Sequence, residues 1–344
     1  MKDKRITLKD LADELKLAPS TISRALANHP AISESTKRVV QDKAEKLGFA
    51  PNSIAASFRN KKTRSIGVIV PRVDIHFHSR VISGIEEFAY KSGYNVTIFQ
   101  SKDSYKREKE IVKILQNRMV DGIIVCLAIE TKNYDHFKKI GKLKVPLVFY
   151  DRTPEHFDTN KVTINDFESA YTATAHLIKM GCKRIAHIAG NQSTGIFRAR
   201  LEGYKAALKA NNLAFADDLV LETSRLSYQE GVECANKLLK LSQLPDGVFC
   251  ANDYTAASVV QVFKKHKIDI PDEVAIVGFS DYPIAQIIEP NLTTINDRAF
   301  QMGEAAAKLL IRQIEEDDAD IIDYQTIVLK TELVIRESTC KPAD

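Results

Sequence analysis

Several chemistries are missing from this 344-residue chain. No apolar run approaches the roughly 20 residues that a helix needs to cross a bilayer. The opening MKDKRITLKD is charged, so no export signal is visible. Cys126, Cys182, Cys234, Cys250 and Cys340 are scattered, without the paired spacing of a metal site. They read as reduced thiols, partly in the core, of a cytoplasmic protein. There is no GxxxxGK phosphate loop, no HExxH helix, no GxSxG elbow and no GxGxxG turn. The histidines are dispersed; only His76 and His78 stand close, and no third ligand accompanies them. Nothing pairs a nucleophile with a base. The chain therefore gives no support for an enzyme, and no metal, cofactor or catalytic residue is expected.

The net charge of +4 hides a strong asymmetry. Residues 1–64 carry 14 Lys/Arg against 7 Asp/Glu, and the remainder is slightly acidic. A local cationic surface attracts phosphate backbone and releases its counterions. The same segment holds TLKDLADELKLAPSTISRALAN, Thr7 to Asn28. Thr7 suits a helix cap, with Asp10 in the first turn. Leu8, Leu11, Ala12 and Leu15 recur at helical spacing. Pro19 suits the first position of a second helix, which buries Ile22, Ala25 and Leu26. Ser20, Thr21, Ser23 and Arg24 are left outside. Short hydroxyls let a helix backbone approach a groove wall, and arginine grips a guanine edge with two parallel bonds. That is the face of a helix-turn-helix recognition helix. A third helix is capped by Ser33, turns Val39, Val40, Ala44 and Leu47 inward and ends at Gly48. Beyond it, Asn52 to Phe58 can form one or two marginal turns before the basic run Arg59, Lys61, Lys62 and Arg64, a segment suited to ordering on contact.

From Ile66 the pattern becomes α/β. Strand-like runs IGVIV, NVTIF, DGIIVCL and PLVFYD alternate with amphipathic helices, and a second series runs through KVTIN, RIAHIAG, DLVLE, GVFCAND and VAIVGFSD. Such alternation implies parallel sheets covered on both faces. Asp121-Gly122 and Asp246-Gly247, each leading into a strand, give a weak internal echo of two similar lobes. Ligands of such sheets bind beyond the carboxyl ends of the strands. The candidates there are Phe77, His78, Asp151, Arg152, Thr194, Ile196, Arg200, Leu226, Asn252, Asp253, Ser280 and Asp281. Phe77 can stack on a small polar ligand and the others can hydrogen-bond or line it. Any one of the Asp, Asn or Ser positions also suits a turn former or helix cap; their convergence carries the reading.

Taken together, TLKDLADEL with STISRAL, PNSIAASF, SIGVIVP, DGIIV, VFYDR, KRIAHIAG with RLEGY, FCANDYTA, VAIVGFSD, LTTI and the closing VIRES resemble the lactose-repressor (LacI/GalR) family of bacterial transcription regulators. The likeness spans nearly the whole chain. It implies an all-α helix-turn-helix headpiece, a hinge helix, and an α/β core of two doubly wound parallel-sheet lobes like periplasmic binding proteins. The expected bounds are 1–50, 51–64 and 65–344. Within the core, one lobe is expected at about 65–161 and 293–325, the other at about 162–292 and 326–344. The resemblance implies a homodimer on a near-palindromic operator. Its DNA-contacting positions would be Thr7, Ser20, Thr21, Ser23, Arg24, Asn28, Ser57, Phe58 and Arg59. Phe58 stands where the family has a minor-groove leucine, and a phenylalanine can still wedge between base steps. Lys16 stands where the family often has a turn glycine. Arg200 matches the ligand-gripping arginine. Ser280 replaces an aspartate found in several members, a role that Asp281 can take over. Leu226 lies near the place of a stacking aromatic. The implied effector is a small polar metabolite, a sugar or sugar derivative first. The alternatives are an exported solute-binding protein without a DNA role, which leaves the basic headpiece unexplained, and a carbohydrate-acting enzyme, for which no constellation is present.

Overall fold

The computed structural model describes residues 6–49, 63–117, 120–142, 145–316 and 324–340. The chain divides into two compact units, 1–63 and 64–344.

The described residues of the first unit form a three-helix bundle. Helix α1 (Leu8–Leu15) starts from a reciprocal cap: the Asp10 amide donates to the Thr7 hydroxyl at 3.2 Å, and the Thr7 amide donates to the Asp10 carboxylate at 2.8 Å. Two orphan donors of the first turn are thereby satisfied. Lys16 ends α1 with φ 54°, the left-handed conformation expected of a glycine position. A lysine there costs about 1 kcal/mol relative to glycine. Helix α2 (Pro19–Leu26) begins on its proline, and α3 (Glu34–Lys46) is capped by Ser33. Leu11, Ala12, Ile22, Ala25, Val40 and Ala44 form the core of the bundle. Val39 departs from expectation and lies exposed. It is rotated by about 100° from Val40, and only one of the two can face the bundle.

The second unit contains two six-stranded sheets. In chain order its elements are β1 (Ser65–Val70), α4 (His76–Lys91), β2 (Asn95–Gln100), α5 (Tyr105–Asn117), β3 (Gly122–Val125), α6 (Asp135–Lys142), β4 (Leu147–Tyr150) and β5 (Asn160–Ile164). They continue with α7 (Asp166–Lys179), β6 (Ile185–Ala189), α8 (Gly195–Ala210), β7 (Val220–Glu222), α9 (Tyr228–Leu238), β8 (Gly247–Cys250), α10 (Asp253–Lys265), β9 (Ala275–Phe279) and α11 (Ile284–Ile287). The last are β10 (Thr293–Asn296), α12 (Ala299–Glu315), β11 (Thr326–Leu329) and β12 (Glu332–Val334). The sheets read β2-β1-β3-β4-β5-β11 and β7-β6-β8-β9-β10-β12. Among the described residues all strand pairings are parallel except β10 with β12. The buried strands β3, β4, β8 and β9 are continuous apolar runs, β1 becomes one after Ser65, and β6 is interrupted by His187, a pattern that suits strands covered on both faces.

The strand order moves the expected lobe bounds. Strand β5 pairs with β4 in the first sheet, with Val148 opposite Asn160, so the chain crosses after Ile164 and not before it. Strand β10 belongs to the second sheet and β11 to the first. An isolated strand pattern gives burial but not partner, which is why the sequence misplaced all three.

The two lobes are built alike. In the first, α4 packs on α12; in the second, α8 packs on α7. Each contact turns on a glycine at the ninth residue of the helix. A Cβ at Gly84 would lie 2.1 Å from the Phe300 carbonyl oxygen, and one at Gly203 would lie 2.2 Å from that of Phe167. Only glycine admits this approach. In both sheets the strand order reverses beside the first strand, at β1/β3 and β6/β8, and loops at the carboxyl ends of such strands form ligand sites.

Candidate nucleic-acid interface and effector site

On the headpiece, Ser20 and Arg24 are exposed and Thr21 half-buried on the outer face of α2, while Ile22 and Ala25 anchor the opposite face. Ser23 is half-buried. Thr7 is exposed but its hydroxyl closes the α1 cap, donating to Asp10 at 2.6 Å. Asn28 follows α2 with φ 53°, and its Oδ1 accepts from Gln41 Nε2 at 2.9 Å. Asn28 thus ties α2 to α3 while remaining exposed. Ser57, Phe58 and Arg59 lie outside the described residues, as does most of the segment expected as a hinge.

In the second unit, charged side chains from both lobes meet around Arg200. Its guanidinium is buried, donates through Nε to Asp166 at 2.8 Å and through Nη1 to the Ala251 carbonyl at 2.9 Å, and lies 3.5 Å from the centre of the Phe279 ring. Burial raises the Asp166 carboxyl to about 6, against the opposing pull of Arg200. Asp297, just past β10, is likewise buried and pushed up to about 7, with the Ser280 hydroxyl and Arg200 acting in the other direction. Asp151, just past β4 in the other lobe, is raised by burial and feels both Arg152 and Arg200. Arg152 donates to Asp103 and, at 3.3 Å, to the Leu127 carbonyl. Two buried groups here have no hydrogen-bond partner: Arg152 Nε and the Thr194 hydroxyl. Thr194 precedes α8 without capping it. Unsatisfied buried polar atoms are costly, and each needs an explanation.

Backbone strain gathers at the same end of the strands. Lys102, Asp103, Asp151, Leu226, Ser280, Asp281 and Arg298 all have positive φ, and Ser280 reaches 100°. Left-handed non-glycine residues cost energy and persist where the surroundings hold them, commonly at binding sites.

The model of the LacI family of bacterial regulatory proteins matches residues 7–52, and that of the periplasmic binding protein-like domain matches residues 174–339. The chain carries a LacI-family DNA-binding region and a periplasmic binding protein-like domain. Among its relatives, the HTH-type transcriptional repressor PurR of Mannheimia succiniciproducens is 29% identical over 98% of this chain and 99% of its own length. The PurR repressor of Haemophilus influenzae (strain PittEE) is 28% identical over 96% of this chain and 98% of its own. Among solved structures, the regulator CelR in complex with cellobiose is 26% identical, covers 97% of this chain and 100% of its own, and superposes with a TM-score of 0.73. The lac repressor dimer bound to operator and an anti-inducer, 22% identical, covers 98% and 99% with a TM-score of 0.87, a likeness of fold.

In this periplasmic binding protein-like core the sequence-derived candidates separate into three sets. Arg200, Asp151, Arg152 and Ser280 come together at the seam between the lobes, and Thr194 is buried just ahead of α8, the helix that carries Arg200. Phe77 and His78 are buried at the start of α4, their rings 5.2 Å apart, with His78 Nδ1 3.4 Å from the Tyr150 hydroxyl. Burial, with Arg152 adding to it, holds His78 well below the usual imidazole range. The remainder brace the loops. Asn252 caps α10 by accepting from the Thr255 amide at 2.9 Å and donates to the Leu226 carbonyl at 2.8 Å. Asp253 is fully buried, accepting from the Tyr282 amide at 2.6 Å and the Thr294 hydroxyl at 2.7 Å. Burial nevertheless raises it to about 8. Asp281 pairs with Arg336 at 2.7 Å and accepts from Asn296 at 3.2 Å. It is therefore engaged elsewhere, and the carboxylate beside Ser280 is Asp297. Ile196 is half-buried in the first turn of α8.

Sequence reasoning missed Asp103, Asp166, Phe279 and Asp297. Asp166 and Asp297 each follow a strand end at which the chain crosses between lobes. Both are visible as acidic residues just past KVTIN and LTTIN, a placement that equally suits a helix start.

Proposed function

We propose that this chain is a ligand-gated, sequence-specific transcriptional repressor that binds a palindromic operator as a homodimer and takes a small polar effector at the seam between its lobes. The PurR relatives are repressors and the CelR neighbour holds cellobiose; both support the reading. The observation that carries it is the pairing of two surfaces in one chain. One is an outward hydroxyl-and-arginine face on α2; the other is a buried guanidinium ringed by carboxylates from two lobes. Ser20, Thr21, Ser23 and Arg24 would enter the major groove, with Thr7 and Asn28 beside the phosphates. Ser57, Phe58 and Arg59 would follow into the minor groove. Domain bounds of 1–50, 51–64 and 65–344 suit this division. No helix among the described residues is long and apolar enough to cross a membrane, and operator binding would place the protein in the cytoplasm. Regulation instead of turnover is the role, as for the relatives.

Gating follows from differential affinity. An effector that binds one arrangement of the lobes 5- to 150-fold better shifts operator affinity by about 1–3 kcal/mol. The test is selection of bound duplexes from a random library by the full chain. Enrichment of a two-fold symmetric sequence is expected. Arg24→Ala should lower affinity for it by about 1–3 kcal/mol and relax preference at one position of each half-site. Binding without sequence enrichment would falsify the repressor reading.

A further inference from the structure

We propose that Arg64 is a positioning residue for operator binding, clasped to the core by Tyr94 and Glu315, and not a phosphate contact; this rests on the repressor reading above. By sequence it closes the basic run Arg59, Lys61, Lys62 and Arg64, which leads from the expected hinge into β1. Its cation is already engaged. The guanidinium lies 4.9 Å from the centre of the Tyr94 ring, and Nη1 lies 3.4 Å from the Glu315 carboxylate. Tyr94 is buried, so the ring is a fixed support. The backbone is held as well. The Arg64 amide donates to Asp121 at 2.7 Å, and the Arg64 carbonyl accepts from the Asn95 amide at 2.8 Å. Between these two bonds φ is 52°, a left-handed conformation that a non-glycine residue keeps where its surroundings hold it.

The partners of Arg64 give the clasp its use. Glu315 is the last residue of α12, which packs on α4 and against β3, β4 and β5. At the other end, Arg298 precedes α12 and pairs with Glu332 of β12, in the second sheet, at 2.6 Å. One helix, about 25 Å long at 1.5 Å per residue, therefore runs from a tie to the second lobe to the point where the linker leaves the core. A change in lobe angle reaches Arg64 through a rigid element. A fixed exit also lowers the entropy lost when two headpieces engage adjacent half-sites.

A phosphate contact and an anchor respond differently to substitution. An arginine that neutralises a phosphate releases counterions, and its loss lowers the slope of log affinity against log salt by about 1. An anchor that never meets DNA leaves the slope unchanged. Glu315 separates the two by sign. If it only competes with DNA for the arginine, Glu315→Gln tightens binding. If it secures the anchor, the same change weakens specific binding. The Arg64 and Glu315 side chains are 52% and 53% exposed, so neither loss threatens the fold.

The experiment measures the affinity of the full chain, over a salt series, for the duplex enriched from the random library and for an unrelated duplex. Arg64→Ala should lower the ratio of the two affinities about fivefold or more, and Glu315→Gln about two- to fivefold. The salt slope should stay that of the wild type in both. The double variant should lose no more than Arg64→Ala alone, since both substitutions release one clasp. Arg64→Lys keeps the charge but not the flat face on Tyr94, and should not restore the ratio. An unchanged ratio, a slope lowered by about 1 for each arginine, tighter specific binding by Glu315→Gln, additive losses or full rescue by lysine each overturns the proposal. A wild-type protein without sequence preference counts against the repressor reading instead, and amide exchange then decides the anchor alone. Arg64→Ala and Glu315→Gln should speed exchange at residue 64 and at Asn95; unchanged exchange there overturns it.

Discussion

The two lobes share a scaffold and differ in what they bring to the seam. Both sheets have the same strand order, both place a glycine at the ninth residue of the helix that follows the first strand (β1 or β6), and both lead into the third strand with Asp-Gly. Their arginines are set differently. Arg200 and Asp166 have side chains 7% and 8% exposed, whereas Asp103, the partner of Arg152, is 24% exposed. The repeat carries what the fold needs, and the charged groups at the seam depart from the repeat.

The largest test of that contrast is to remove each arginine. Arg200→Ala strands a buried carboxylate, which costs about 3–5 kcal/mol when a buried pair is broken. Arg152→Ala leaves Asp103 partly solvated and still accepting from the Ile129 amide at 3.2 Å, so about 1–2 kcal/mol is expected. Urea unfolding of the full chain at pH 7.5 measures both. Because Asp166 already sits near 6 beside Arg200, losing that cation raises it further. The Arg200→Ala penalty should therefore shrink at pH 5, where Asp166 carries a proton. Equal penalties for the two substitutions would remove the distinction between the lobes.

The glycines test the shared part. Gly84→Ala and Gly203→Ala each drive a methyl into a backbone carbonyl, which no rotamer change relieves. Each should cost about 3 kcal/mol, the upper range for overpacking, and the two losses should agree within about 1 kcal/mol. Gly141→Ala is the control: a Cβ there meets nothing within 4 Å, so it should be neutral or slightly stabilising. A mild effect at one glycine with a severe one at the other would show that the helix contacts are not equivalent.

These contrasts also show how far the residues speak for themselves. Capping at Thr7 and Ser33, the proline start of α2 and the alternation of strands and helices were legible because each is a local rule, whereas the left-handed Lys16 came from the family resemblance. The crossings were not. KVTI at β5 and TTIN at β10 have the same apolar character whichever sheet they join, and the partner is set by chain path. The site follows the same division. Arg200 came from the family resemblance, while Asp166 and Asp297 matter because they stand where the chain changes lobes. Asp281 looked like the replacement for the aspartate missing at Ser280, but its left-handed backbone, φ 50°, and Arg336 hold it away from that role.

The smallest effect concerns the Asp-Gly echo. The Asp246 carboxylate accepts from the amides of Lys183, at 2.8 and 3.0 Å, and of Arg184, at 2.8 Å, just before β6. Asp121 accepts from the Arg64 amide at 2.7 Å, just before β1. In each lobe an aspartate ahead of the third strand clamps the start of the first, holding two adjacent parallel strands in register where their ladder begins. Both sites are half-exposed, so water partly replaces a lost acceptor. Asp246→Ala should cost about 1–2 kcal/mol and Asp121→Ala about 1 kcal/mol. Hydrogen exchange gives the finer readout. Asp246→Ala should speed exchange at Lys183 and Arg184 while leaving the start of β1 unchanged, and Asp121→Ala should do the converse at Arg64. Loss of protection ahead of β1 and β6 alike from either substitution would mean that the two sheets open together, and the lobes would then be one cooperative unit, as the apolar cluster that they share allows.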